Sequence, residues 1–152
     1  IVKSMKEFKG VEHRLEYVRT INEADYINDS KATNIDSVIV AINTYKQPIV
    51  LILGGFNKGA NFRLLLPHIK SSHVRDIVSY GDAGGQINTA LGDAVRSVQV
   101  TDLSSAVKKA QLMAAPGDIV LLSPGCASYD EFSNFEERGN HFKSIIKSLA
   151  AL

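Results

Sequence analysis

The sequence predicts an α/β domain in which a mostly parallel, doubly wound sheet has helices on both faces. Two observations lead to this prediction. Short apolar runs alternate along the chain with segments that repeat apolar residues at helical spacing, and such strand–helix units join through right-handed crossovers into a parallel sheet. Before the first helical segment, two strand-like segments follow each other directly, so we expect an antiparallel N-terminal edge.

The apolar runs are short and unbroken, as strands buried on both faces are. They span residues 49–55, 77–80, 98–100 and 119–122. The helical segments have apolar residues at positions i, i+3, i+4 and i+7. Their stripes span residues 35–42, 62–69, 87–94, 103–110 and 138–149. In a Rossmann-like sheet of this kind, ligands bind at the carboxyl ends of the strands.

The first thirty residues have a different pattern. Residues 15–19 alternate in polarity, and the polar residues 22–25 separate them from the short segment 26–28, which predicts a hairpin or an antiparallel edge. Residues 1–8 resemble the last turns of a helix that belongs to something upstream. Because the chain also opens on Ile1 rather than Met, we expect it to be a piece of a longer protein.

The composition is typical of an ordinary globular domain and argues against several classes of protein. A chain of 152 residues with a single cysteine can fold on its hydrophobic core without disulfides. A net charge of +1 is far from the basic balance of a nucleic-acid binder. The sequence has no apolar stretch of membrane-spanning length and no signal peptide, so we expect a cytoplasmic protein without a membrane or nucleic-acid partner.

Three polar clusters follow predicted strands, and the first two each allow two interpretations. In residues 28–34, Thr33 or Asn34 can cap the next helix; alternatively, Lys31 at that helix N-terminus forms an anion site and Asp29 binds a ribose hydroxyl. Residues 54–59 form either a plain strand–helix turn or a glycine-rich anion loop with one lysine, although their spacing is not that of a Walker A loop.

The third cluster, residues 123–130, contains small residues and two serines whose N–H and O–H groups can hold a carboxylate. Within it, Cys126 is either a nucleophile or a buried structural residue, and the second interpretation is favoured because no histidine lies near it in the sequence. The chain has four histidines without metal-ligand spacing, so the sequence predicts no metal site. They are His13, His68, His73 and His141.

Taken in this order, the motifs resemble the Mur ligases, and within that family the branch that adds D-glutamate. The resemblance lies in F-K-G-V-E-H-R-L-E at 8–16, D-S-K-A-T-N at 29–34 and L-S-P-x-x-A-S-x-D-x-F…F…R-G-x-x-F at 122–142. The other branches and the folylpolyglutamate synthases tend to have a histidine soon after the aspartate, whereas this chain has Ser30 and Lys31. Gly125 and Tyr129 stand where the family more often has Ala and Phe or Leu.

The resemblance covers the whole chain but only the last third of such an enzyme. It implies that residues 1–9 are the tail of a central domain and that residues 10–152 are the Mur ligase C-terminal domain. The implied enzyme is an ATP-dependent amide ligase of peptidoglycan precursor synthesis. It joins D-glutamate to UDP-N-acetylmuramoyl-L-alanine through an acyl phosphate, with magnesium bridging the phosphates. Because the family's P-loop and most of its metal ligands belong to the central domain, we expect this chain alone to be inactive.

The resemblance also assigns roles to individual residues. It implies that Arg14 and Asp29 contact the nucleotide, and that Lys31 lines the D-glutamate cleft in a supporting role. Thr33 and Lys58 are implied to bind one carboxylate of D-glutamate. Ser128 and the backbone at Phe135 are implied to bind the other carboxylate. No residue of this chain is expected to be catalytic or to bind metal.

Two alternatives remain open at this point. One is a free-standing nucleotide- or anion-binding module of the same architecture. The other is a related amide ligase that uses a different amino acid.

Overall fold

The secondary structure follows the predicted alternation of strands and helices over residues 11–152, the part of the chain that the computed structural model describes. The strands are β1 (Glu16–Ile21), β2 (Ala24–Asn28), β3 (Ile49–Gly54), β4 (Val74–Tyr80), β5 (Arg96–Gln99) and β6 (Ile119–Leu122). The helices are α1 (Ile35–Thr44), α2 (Leu66–Ser71), α3 (Gly84–Leu91), α4 (Leu103–Met113) and α5 (Phe135–Ser148), with a 3₁₀ helix at Phe62–Leu65. The predicted helix at 1–8 and the predicted domain boundary after residue 9 lie outside the described residues.

The six strands form one sheet in the order β1-β2-β6-β3-β4-β5. Strand β1 pairs antiparallel with β2, and every other neighbouring pair is parallel. Strand β6 therefore lies between β2 and β3, although it comes much later in the chain. This topology confirms the predicted doubly wound sheet with an antiparallel N-terminal edge.

Helices cover both faces of the sheet, as predicted. The stripes of α1, α2 and α3 pack on one face, and those of α4 and α5 pack on the other. The central parallel strands β3 and β6 are buried on both faces and contain no polar side chain, whereas the edge strand β5 is partly exposed and mostly polar. The rigid sheet thus fixes where the loops at its carboxyl edge begin.

The N-terminal hairpin has a shorter turn than the sequence predicted. Asn22 and Glu23 alone form it, with φ angles of 50° and 64°, while Ala24 and Asp25 already belong to β2. Two successive left-handed residues are the signature of a type I′ turn, whose twist matches that of the flanking strands. The prediction of a four-residue polar separator was therefore wrong, because Asp25 is polar but paired within the sheet.

Four other boundaries differ from the prediction for identifiable reasons. Helix α3 ends at Leu91, so Ala94 reaches the core from the segment before β5 rather than from the helix. The stripe at 62–69 is divided between the 3₁₀ helix and α2, because Pro67, in the first turn of α2, has no N–H with which to continue the preceding helix. Strands β4 and β5 begin earlier than their apolar runs, because Asp76 and Arg96 face each other in the register and form an ion pair at 2.7 Å.

The hairpin turn yields a stability prediction. Glu23→Gly is expected to raise the free energy of unfolding by about 1 kcal/mol, because glycine adopts a positive φ without the steric cost that a side chain meets. Urea denaturation monitored by circular dichroism measures the change.

The matched control is Glu136→Gly, which makes the same substitution in the first turn of α5. The free energy of unfolding of that variant is expected to fall by about 1 kcal/mol, since glycine is a poor helix former. Destabilisation by both variants would contradict the assignment of Glu23 to a strained turn.

Candidate functional site

The candidate site lies at the carboxyl edge of the sheet, where the loops after β2, β6 and β3 lie side by side. These loops contain the three polar clusters at 28–34, 123–130 and 54–59. The strand order thus brings together clusters that are far apart in the sequence. In a doubly wound sheet, this edge is where ligands bind.

Backbone hydrogen bonds join the three loops directly. The four bonds are Asp29 N–H to Leu122 O at 2.8 Å, Gly125 N–H to Ala32 O at 2.8 Å, Gly54 N–H to Pro124 O at 3.1 Å and Phe56 N–H to Ala127 O at 2.8 Å. Gly55 has a φ of 125°, and a Cβ there would lie 2.5 Å from the carbonyl oxygen of Ala127. The glycines after β3 therefore allow close loop packing, which explains them without a phosphate.

The guanidinium of Arg138 in α5 connects the β2 and β6 loops through hydrogen bonds. It is fully buried, and it donates from Nη2 to Ser30 O at 2.8 Å, from Nε to Ser30 Oγ at 3.0 Å and from Nη1 to Cys126 O at 3.0 Å. Ser30 Oγ in turn donates to the carbonyl of Phe135 at 2.7 Å. One charged group thus holds the β2 loop, the β6 loop and the start of α5 in a single arrangement.

Asp29 is buried between the first and third clusters. Its Oδ1 accepts from the backbone N–H of Leu15 at 3.1 Å, and its Oδ2 accepts from Ser123 Oγ at 2.8 Å. Burial raises the pKa of Asp29 to about 6, against the opposing effects of these two bonds and of the Arg14 charge. Asp29 therefore joins the Arg14 segment and the β6 loop, and its carboxylate oxygens retain further acceptor capacity.

Arg14, Asp29 and Lys31 line one cleft of about 180 Å³ beside α1. The segment that presents Arg14 is tightly bent, because the residues on either side of it, His13 and Leu15, have φ angles of 65° and 46°. Hydrogen bonds to the β2 loop hold this bend, including Lys31 N–H to the carbonyl of His13 at 3.0 Å. Arg14 and Asp29, which the resemblance assigns to the nucleotide, are thus neighbours in space. Lys31, which it assigns to the D-glutamate cleft, lines this cleft instead.

Thr33 and Lys58 line a second cleft, of about 480 Å³, on the other side of the β2 loop. The N-cap of α1 is Asn34, whose side chain accepts from Ser37 N–H at 2.9 Å, so Thr33 is not needed for capping. Both Thr33 and Lys58 are exposed to the cleft. The structure therefore brings together the pair predicted to hold one carboxylate.

Ser128 and Phe135 lie apart from the linings of both clefts. Ser128 is buried, and its carbonyl accepts from the N–H of Phe132 at 2.8 Å within the loop. Phe135 is the first residue of α5, and its ring meets the His13 ring edge-on, with the centroids 6.0 Å apart. An N–H at this helix position has no partner inside the helix.

Two further titratable candidates, Cys126 and His13, are buried. Burial raises the pKa of the Cys126 thiol to about 12, which keeps it protonated and argues against a nucleophile. His13 is buried, and its Nδ1 lies 3.0 Å from Asn28 Nδ2. Within residues 11–152, no three His, Cys, Asp or Glu side chains are grouped as a metal site would require. No helix in the same range is long and apolar enough to cross a bilayer.

Arg138 and Ser123 have structural roles that the sequence analysis did not predict, although Arg138 stands in the motif at 122–142 and Ser123 is one of the two serines of the third cluster. The signal for Arg138 was present, because it occupies the apolar stripe of α5 together with Phe142. A charged residue at such a position is buried with partners or interrupts the stripe. Nothing comparable marked Ser123 as the partner of Asp29.

The buried guanidinium yields a second stability prediction. Arg138→Lys is expected to lower the free energy of unfolding by about 3 to 5 kcal/mol, because an ammonium cannot reach all three acceptors and leaves buried carbonyls without donors. The control is Arg63→Lys, at an exposed position, with an expected change within about 0.5 kcal/mol. Equal stabilities of the two variants in guanidinium chloride denaturation would show that Arg138 does not hold the loops.

The raised pKa of Asp29 predicts a pH-dependent stability. Because the folded state binds this proton more tightly than the unfolded state, ionisation lowers the free energy of unfolding as the pH rises from about 4 to about 6. The Asp29→Asn variant has no carboxyl group to ionise at this position, so its free energy of unfolding does not fall in this way. The difference between the variant and the wild type is therefore expected to shift in favour of the variant by up to about 3 kcal/mol between about pH 4 and about pH 6.

Denaturation of both proteins at a series of pH values measures the difference. Asp36→Asn, which replaces an exposed aspartate in the first turn of α1, is the control and is expected to change much less. A stability difference between Asp29→Asn and the wild type that stays constant with pH would contradict the raised pKa.

Several curated relatives resemble almost the whole chain, and all of those described here are named UDP-N-acetylmuramoylalanine--D-glutamate ligase. The protein from Clostridioides difficile is 46% identical over 93% of this chain and 32% of its own length. The protein from Pelotomaculum thermopropionicum is 46% identical over 96% of this chain and 32% of its own length. The protein from Chlamydia caviae is 42% identical over 99% of this chain and 36% of its own length. The chain therefore spans about a third of the length of these relatives.

Solved structures share the fold at low sequence identity. A folylpolyglutamate synthase/dihydrofolate synthase from Yersinia pestis, complexed with AMPPNP and Mn, matches 90% of this chain and 32% of its own with a TM-score of 0.63 and 16% identity. UDP-N-acetylmuramate-alanine ligase from Thermotoga maritima matches 96% of this chain and 32% of its own, with a TM-score of 0.58 and 12% identity.

The family described as Mur ligase, glutamate ligase domain matches residues 13–126, which include β1 to β6 and the loops that line both clefts. With the sheet topology and the motifs at 29–34 and 122–142, this match shows that the chain belongs to the Mur ligase family as its glutamate ligase domain.

Proposed function

We propose that this chain is the C-terminal part of a longer cytoplasmic ligase that joins D-glutamate to UDP-N-acetylmuramoyl-L-alanine with ATP. One observation supports the proposal most directly: a single loop separates two clefts, one with Arg14 and Lys31 and the other with Lys58 beside Asp36, and relatives that match 93% of the chain are named D-glutamate ligases. The chain's span of about a third of those relatives leaves the phosphate-transfer machinery to the rest of the protein.

In this proposal the cleft of Arg14, Asp29 and Lys31 receives the nucleotide. Arg14 supplies a planar cation that can contact phosphate oxygens in two directions, and Lys31 adds a second positive charge. The Asp29 carboxylate has acceptor capacity for a ribose hydroxyl in addition to the bonds from Leu15 and Ser123. An ionised Asp29 is needed for the strongest such bond, and it predominates above about pH 6.

D-glutamate has two carboxylates and therefore needs two groups of donors. Thr33 and Lys58 provide a hydroxyl and an ammonium at the second cleft. For the other carboxylate we propose the Ser128 hydroxyl and the N–H of Phe135 at the start of α5. Glu136 and Glu137 in the first turn of α5 oppose a carboxylate there, so this second group must bind through directed hydrogen bonds rather than net charge.

The chemical role of this domain is to bind and orient the reactants. ATP phosphorylates the carboxylate of UDP-N-acetylmuramoyl-L-alanine, the amine of D-glutamate attacks the acyl phosphate, and the products are an amide, ADP and phosphate. Residues 11–152 lack a group of His, Cys, Asp or Glu side chains suited to a metal ion, and in this proposal the rest of the ligase holds magnesium. By fixing the amino acid beside the nucleotide, the domain lowers the entropic cost of the attack.

The proposal predicts a reciprocal pattern of kinetic defects in the full-length ligase. Lys58→Ala and Ser128→Ala are expected to raise the KM for D-glutamate by about ten- to hundredfold, since each removes a hydrogen bond to a carboxylate that is charged before reaction. Arg14→Ala is expected to raise the KM for ATP instead. Steady-state assays that vary one substrate at a time separate the two effects.

Lys46→Ala, at an exposed lysine that precedes β3 at the opposite edge of the sheet, is the control for loss of positive charge and is expected to match the wild type. The 152-residue chain by itself is expected to form no ADP. The proposal would be overturned by unchanged constants in all three site variants. Product formation with another amino acid but not with D-glutamate would favour a related amide ligase.

A further inference from the structure

The Tyr129 side chain lies against the proposed carboxylate ligand Lys58 but lines neither cleft. It follows Ser128 in the β6 loop and is 60% exposed. The Nζ of Lys58 lies 5.1 Å from the centroid of its ring, within the range of a cation–π interaction. The edge of the Phe56 ring packs against it, with centroids 6.3 Å apart and an interplanar angle of 64°.

The backbone of the loop that contains Lys58 is fixed, whereas its side chain is not. Asn57 Oδ1 accepts from Gly59 N–H at 2.9 Å and from Ala60 N–H at 2.8 Å, which closes a tight turn around Lys58. The Lys58 side chain beyond that turn is long, flexible and exposed. Within residues 11–152, no carboxylate lies within 4.0 Å of its ammonium. The Tyr129 ring is therefore the group that can orient it.

An aromatic ring and a carboxylate orient a neighbouring ammonium in different ways. An ion pair with an acidic neighbour would neutralise Lys58 and would have to break before a substrate carboxylate could bind. The acidic side chains of Asp82 and Asp130 lie on the same rim, where Asp82 Oδ2 accepts from Asn57 N–H and Asp130 Oδ2 accepts from Asp82 N–H. A ring face attracts the cation from one side and leaves its N–H donors available on the others.

We propose that Tyr129 is a positioning residue, whose ring holds the Lys58 ammonium at the second cleft with its donors directed to a substrate carboxylate. This inference rests on the proposed function. It assigns part of the affinity for an acidic amino acid to a side chain that does not itself bind the substrate. Phe56, which lies in the same loop as Lys58, is a second aromatic contact of the Tyr129 ring.

The test is a set of Tyr129 variants in the full-length ligase. Tyr129→Leu keeps an apolar side chain against Phe56 but removes the ring, and it is expected to raise the KM for D-glutamate by about two- to fivefold. The kcat and the KM for ATP are expected to stay within error. Tyr129→Phe retains the ring and is expected to keep the wild-type KM for D-glutamate. Di- and trifluorophenylalanine at the same position are expected to raise the KM stepwise, because fluorine weakens the ring quadrupole at nearly constant size.

A double-mutant cycle distinguishes positioning from a general effect on the loop. In the Lys58→Ala background, Tyr129→Leu is expected to change the KM for D-glutamate by less than about 1.5-fold, because there is no ammonium left to orient. An equal effect in both backgrounds, or a wild-type KM for Tyr129→Leu, would overturn the inference while leaving Lys58 in the site. A wild-type KM for Lys58→Ala would instead remove Lys58 from the proposed carboxylate site on which the inference rests.

Discussion

The arrangement of the candidate site depends on the buried guanidinium of Arg138. A charge removed from water needs its hydrogen bonds supplied by the protein, and within residues 11–152 these come from a hydroxyl and two carbonyls rather than from a carboxylate. Ser30 both accepts from Arg138 and donates to Phe135, so the network also includes the start of α5. Because a partly satisfied network of this kind is costly, the loops are held together as a unit rather than one by one.

The β2 loop divides the site into two parts with different chemistry. Asp29 and Lys31 face the cleft shared with Arg14, whereas Thr33 faces the cleft shared with Lys58. Only a few residues separate these side chains, so a displacement of the loop alters both clefts together. In the proposed reaction, this common wall sets the distance between the nucleotide and the amino acid whose amine must attack.

Much of the fold and the approximate place of the site could be predicted from the sequence. Periodicity identified the parallel strands and the helices between them, because burial on two faces leaves unbroken apolar runs. It could not identify the strand order, since an apolar run does not specify its neighbour. The extents of β4 and β5 were hidden by Asp76 and Arg96, whose charges are compensated by each other within the sheet. The orientation of Lys58 toward Tyr129 depends on contacts between two loops that no local pattern encodes.

The insertion of β6 between β2 and β3 has a consequence for how the chain folds during synthesis. The facing edges of β2 and β3 expose unpaired N–H and C=O groups until β6 emerges, since Asp25 and Ile49 both take Ile119 as their register partner. Such non-local pairing is slow, and open strand edges invite association with other chains. The strand that closes these edges also delivers the loop with Ser123 and Ser128. Completion of the sheet and assembly of the site are therefore a single late event.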